Sequence, residues 1–77
     1  MGNFFVQVGA FTVKDNALRL KSSLVREFGG AIISTFYHEG KTFYRVRIGP
    51  LSGLAKAEKI IRLVEGRGLG TPLIVGE

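Results

Sequence analysis

The sequence predicts one α+β domain of the order β-α-β-β-α-β: a four-stranded antiparallel sheet with two helices on one face. Three observations carry this. First, the chain contains a degenerate repeat with a period of 40 residues, in which Val6, Val8, Gly9, Phe11, Ala17, Leu20 and Leu24 recur as Val46, Ile48, Gly49, Leu51, Ala57, Ile60 and Val64. Second, within each copy the hydrophobic period changes from 2 to 3.6 and back, the sign of strand, helix, strand. Third, glycine and proline punctuate the changes of period. Two copies are too few for a solenoid, and two β-α-β halves make the split ferredoxin-like, or RNP-like, arrangement.

Phe4 to Ala10 alternates and is rich in β-branched and aromatic residues, so it is the first predicted strand. Asp15 to Phe28 sets Ala17, Leu20, Leu24 and Phe28 at helical spacing, and Gly29-Gly30 ends that helix. Ala31 to Tyr37 and Thr42 to Ile48 are strands around Glu39-Gly40, a two-residue turn that favours glycine second. Gly49-Pro50 is expected to break the third strand. Ser52 is expected to cap a second helix running to about Glu65, buried through Ala57, Ile60, Ile61 and Val64 and stopped by Gly66 and Gly68. Thr71 to Val75 supplies the last strand.

With 77 residues the chain is one domain with one modest core. It is read as spanning residues 3–77, with Met1 and Gly2 as additions to an excised domain. No segment reads as a signal peptide, and no apolar run approaches the ~18 residues of a membrane span. The absence of cysteine excludes disulfides and thiolate ligands. The formal charge of +5, from 11 Lys+Arg against 6 Asp+Glu, favours an anionic partner. Arg19, Lys21, Arg26, Lys56, Lys59 and Arg62 fall in helical segments and read as a solvated face. Lys41, Arg45 and Arg47 fall in a strand.

Both helices pack on one face of such a sheet and leave the other open. A turn at Glu39-Gly40 pairs Phe36 with Phe43, Ser34 with Arg45 and Ile32 with Arg47. The other set, Thr35 with Tyr44, Ile33 with Val46 and Ala31 with Ile48, suits a core. The open face is therefore expected to carry Phe5, Gln7, Ser34, Phe36, Phe43, Arg45 and Arg47. Rings interleaved with an amide, a hydroxyl and guanidinium groups suit either a sugar polymer or a single-stranded nucleic acid; an ordinary shielding pair of Phe36 and Phe43 is the plainer alternative.

No catalytic constellation is legible. His38 is the only histidine and lies beside the hairpin turn, and with no cysteine a nucleophile, base and orienter cannot be assembled. Asp15, Glu27, Glu39, Glu58, Glu65 and Glu77 fall mostly on helices, in the turn or at a terminus, which leaves no carboxylate pair for glycoside hydrolysis. Gly66 to Gly70 follows a helix, whereas a phosphate-binding glycine run follows a strand. The chain reads as a binding module with no cofactor and no metal.

Two segments carry a family resemblance. Phe5-Val6-Gln7-Val8-Gly9-Ala10-Phe11, followed by Asn16-Ala17-Leu18-Arg19-Leu20, resembles the opening strand and helix of SPOR (sporulation-related repeat) domains. Phe43-Tyr44-Arg45-Val46-Arg47-Ile48-Gly49-Pro50 resembles the family's aromatic-x-Arg-Val-x-hydrophobic-Gly-Pro strand. The resemblance implies a periplasmic or cell-envelope role at the bacterial division septum, and a ligand in peptidoglycan glycan strands that have lost their stem peptides. It also implies binding through the open sheet face, at positions matched here by Gln7, Ala10, Phe43 and Arg45. Leu73 matches a family binding position too, although the internal repeat equates it with inward-facing Ile33. Ala10 stands where some members have serine, and Phe43 where some have tryptophan. The alternative is an RRM-like single-stranded RNA-binding module, which has the same order of elements. Its signature fails at Gly40 to Arg47, which lacks the second glycine and places arginines at stacking positions, so no nucleic acid is expected.

Overall fold

The computed structural model describes residues 3–69 and 71–76; Met1 and Gly2, read above as additions, lie outside the described residues, as does Glu77. The elements are β1 (Phe4–Phe11), α1 (Lys14–Phe28), β2 (Ala31–His38), β3 (Lys41–Leu51), α2 (Leu54–Gly66) and β4 (Leu73–Gly76). The sheet order is β2-β3-β1-β4, and every neighbouring pair is antiparallel. The predicted β-α-β-β-α-β fold is the fold observed.

The core lies between the sheet and the helices. Val6, Val8, Val46 and Ile48 from the central strands meet Ala17 and Leu24 of α1 and Ala57 and Val64 of α2, all buried. Both alanines are fully buried, at equivalent places in the repeat, where a small side chain lets each helix approach the sheet closely. Phe28, Leu20, Ile60 and Ile61 are partly buried around this centre.

The β2–β3 hairpin has the expected register throughout, from Ala31 opposite Ile48 to His38 opposite Lys41. Its turn holds Glu39 at φ 50° and Gly40 at φ 79°, the two positive φ values of a turn whose twist matches that of the strands. The register of β1 is less regular. Gln7 pairs with Arg47 but Gly9 pairs with Val46, so Val8 is an extra residue, a β-bulge that resets the alternation. Strict alternation with Gln7 outward would turn Ala10 toward the helices; the bulge returns it to the open face, opposite Arg45.

Two expectations about the third strand and second helix are corrected. Gly49-Pro50 does not break β3, which continues to Leu51. Three steps of β3, from Ile48 to Leu51, span two of β1, from Val6 to Phe4, and this second bulge accommodates a proline that a regular ladder could not. Ser52 is not the cap of α2: the N-cap is Gly53, with no side-chain hydrogen bond. The final strand starts at Leu73 rather than Thr71, because its pairing with β1 begins at Gln7 opposite Leu73.

Candidate functional site

The pairings across four strands set the open face out in rows. One row runs Ile32, Arg47, Gln7, Leu73 from β2 to β4; the next runs Ser34, Arg45, Ala10; a third pairs Phe36 with Phe43, and a fourth His38 with Lys41. Every site residue expected from the sequence thus lies on one surface: Gln7, Ala10, Ser34, Phe36, Phe43, Arg45, Arg47 and Leu73. Leu73 is half exposed beside Gln7, whereas its neighbour Ile74 packs on the core. The equation of Leu73 with inward-facing Ile33 is wrong by one residue: Ile33 pairs with Val46, but the β4 partner of the equivalent Val6 is Ile74, and Leu73 pairs with Gln7.

Phe5 shares the open side with Gln7 but offers no ring. It is 7% exposed and stands outside the helix-side core. Its ring lies against Gly49, where an added Cβ would come within 2.7 Å of it. It closes one end of the face.

Two side-chain contacts give the middle of the face its chemistry. Arg47 Nε donates to Gln7 Oε1 at 3.0 Å. An arginine Nε–H only donates, so the carboxamide oxygen is the atom turned toward Arg47, and its NH2 is the group left free. The Arg45 guanidinium lies 3.8 Å above the centroid of the Phe36 ring, a cation–π contact. The His38 ring stacks on the same phenyl group, at 5.8 Å between centroids and 15° between planes. Phe36 is thereby engaged as a support for Arg45. Phe43, half-buried, is the ring on which no cation or second ring is stacked among the described residues.

The electrostatics are one-sided. Lys41, Arg45 and Arg47 face outward on β3, and among the described residues the acids lie elsewhere. Glu39 is in the turn, 3.4 Å from His38 Nε2, Glu27 pairs with Arg67, Asp15 is in α1, and Glu58 and Glu65 are in α2. No group of His, Cys, Asp or Glu suited to a metal ion occurs among the described residues, and no described helix is long and apolar enough to cross a membrane. A depression of about 360 Å³ lies on the outer side of α1, lined by Leu18, Lys21, Ser22, Val25 and Arg26, none of which belongs to the open face.

The hairpin register already implied that Ile32, His38 and Lys41 share this face, a step reached simply by extending the alternation. The Gln7–Arg47 and Arg45–Phe36 contacts had no sequence signal beyond cross-strand proximity.

Comparison with known proteins agrees with the fold. The family model for the SPOR domain matches residues 1–75. The crystal structure of the RlpA SPOR domain from Pseudomonas aeruginosa superposes with a TM-score of 0.85 at 29% identity, covering 94% of this chain and 96% of that one. The solution structure of the peptidoglycan binding domain of the B. subtilis cell wall lytic enzyme CwlC superposes with a TM-score of 0.70 at 28% identity, covering 100% and 91%. No curated protein sequence gives a significant match.

Proposed function

The chain belongs to the SPOR domain family, and from that premise we propose that it is a non-catalytic module binding peptidoglycan through the open face of its sheet. The ligand proposed is the denuded glycan strand, and the role is to carry a parent protein to the division septum, in the periplasm or cell envelope of a bacterium. The observation that carries this reading is the face itself: Phe43, Arg45, Gln7 and Leu73 stand in adjacent rows, flanked by Arg47 and Lys41, with no carboxylate among them. The name of the CwlC domain supports the same class of ligand. The wording of β1 is similar to that of the C-terminal domain of rare lipoprotein A, so the parent proposed is a septal lytic transglycosylase of that kind.

Each side chain has a physical task. Phe43 offers its ring to the C–H edge of a pyranose, and Leu73 extends the apolar contact at the opposite corner. Arg45 pairs with the lactyl carboxylate of N-acetylmuramic acid; a guanidinium suits a carboxylate because its fork can bind both oxygens. Phe36 holds that guanidinium in place. Ala10, opposite Arg45, leaves room for the ligand beside it, and Ser34 on the other side adds a hydroxyl. A stem peptide converts the lactyl carboxylate to a neutral amide, so its removal creates the charge that Arg45 and Arg47 read.

Polymer class is tested by competition. The domain is expected to sediment with sacculi at physiological salt, to be displaced little by single-stranded RNA of matched charge, and to release no soluble muropeptides above a heat-killed control. Tight, steeply salt-dependent RNA binding without sacculus binding is the result that contradicts the proposal, because phosphate contacts release counterions.

A further inference from the structure

We infer that this face reads the N-acetylation state of the glycan, with Arg47 as the positioning residue that makes Gln7 a one-way hydrogen-bond donor. The inference rests on the glycan-binding reading above and narrows its ligand. A glutamine carboxamide ordinarily presents an acceptor and a donor and can exchange them by rotating about its last torsion. Here Arg47 lies directly across the ladder from Gln7, and its Nε holds Oε1 at 3.0 Å in a partly buried contact. Turning the carboxamide over would set its NH2 against a guanidinium that has no acceptor. The Nε2 hydrogens therefore face the ligand.

The groups around Gln7 have the same polarity. Arg45 lies in the next row, Arg47 beside it and Lys41 further along β3, while Ile32 and Leu73 end the Gln7 row with apolar side chains. A ligand atom at the centre of the face meets donors and positive charge, and Glu39 is in the turn against His38, beyond the Phe36–Phe43 row. An acetamido group satisfies such a site through its carbonyl oxygen. Deacetylation removes that oxygen with its acetyl group, as acetate, and leaves the sugar nitrogen as an ammonium, which donates and is positive; the Gln7 NH2 is left unpaired and a cation stands beside two guanidinium groups, a repulsive element of the kind that sets specificity.

The test uses one glycan preparation in three states: N-acetylated, chemically N-deacetylated, and re-acetylated from the deacetylated sample, at a pH where the free amine carries its proton. Binding is expected to fall about tenfold or more on deacetylation, the scale of a lost neutral hydrogen bond together with the repulsion between an ammonium and two guanidinium groups, and to return on re-acetylation. Arg47→Lys keeps the charge but removes the fixed Nε–H, so Gln7 can rotate and the ratio between the two glycans is expected to contract. Equal binding of acetylated and deacetylated glycan overturns the inference while leaving peptidoglycan binding intact. An unchanged ratio in Arg47→Lys overturns the role given to the Gln7–Arg47 pair. Binding to neither glycan overturns the reading on which the inference rests.

Discussion

Replacing Phe43 or Arg45 with alanine is expected to weaken glycan binding by about 1–3 kcal/mol each, the range for a desolvated anchor or a charge-assisted hydrogen bond. That is a loss of about 5- to 150-fold. The two act differently. Phe43 contributes ring area, so Phe43→Leu should recover only part of its effect, whereas Phe43→Trp should match or exceed the native residue. Arg45 contributes a fork already supported on Phe36 at 3.8 Å, so Arg45→Lys should behave much as alanine does, because an ammonium lacks the planar two-point geometry. Neither alanine variant should unfold the domain: Phe43 loses a cross-strand pair with Phe36, about 0.2–1 kcal/mol, and half-buried Arg45 a cation–π contact of about 0.5–1 kcal/mol. Lys59→Ala, on α2 and exposed, should change binding little, since a solvated charge acts only at long range. Isothermal titration with a soluble denuded glycan, paired with thermal melts, measures both quantities. Equal losses from Lys59→Ala and Arg45→Ala would mean diffuse attraction to a +5 domain, and the face would have no special part in binding.

Among the described glycines, Gly49 is the one where an added methyl group should do most damage. Gly49 sits at φ +145°, a region that side chains rarely enter, and a Cβ there would lie 2.7 Å from the Phe5 ring and 3.0 Å from the Phe4 carbonyl oxygen. The second contact is with backbone across the β1–β3 ladder, so relief requires the strands to part. Strain and overpacking together should cost about 2–5 kcal/mol. A domain of this length holds only about 4–12 kcal/mol in total, so the variant is expected to be largely destabilised, with a clear drop in its denaturation midpoint. Gly66→Ala is the control: it has nothing within 4 Å of an added Cβ and ends α2, so it should be neutral or stabilising by up to about 1 kcal/mol. A Gly49→Ala midpoint equal to that of the native chain would contradict the bulge described for β3. The same geometry couples to the binding face, because Phe5 is buried against Gly49 at its end and displacement of that ring would disturb the row containing Gln7.

The hairpin was legible because its turn and its alternation have no slack: once Glu39-Gly40 is the turn, a period of exactly two residues decides which side chains share a face from Ala31 to Ile48. β1 was not fully legible. Nothing in Gln7-Val8-Gly9 marks Val8 as the extra residue, since valine suits a regular strand equally well, and the outward placement of Ala10 depends on that bulge. Leu73 was ambiguous for the same reason, because the internal repeat carries hydrophobic type but not register. Alternation gives the side of Phe5 but not its burial, which comes from the missing side chain at Gly49, on a different strand. The pairing of Arg45 with Phe36 and of Arg47 with Gln7 depends on rotamers, which strand periodicity does not specify.

The central claim, that the open face recognises glycan whose stem peptides have been removed, is tested most directly by sedimentation with matched sacculi, one half treated with amidase and the other untreated. The domain is expected to pellet preferentially with the treated sacculi, and Arg45→Ala to lose most of that preference while remaining folded. Equal pelleting with treated and untreated sacculi, or a preference that survives in Arg45→Ala, would contradict the account.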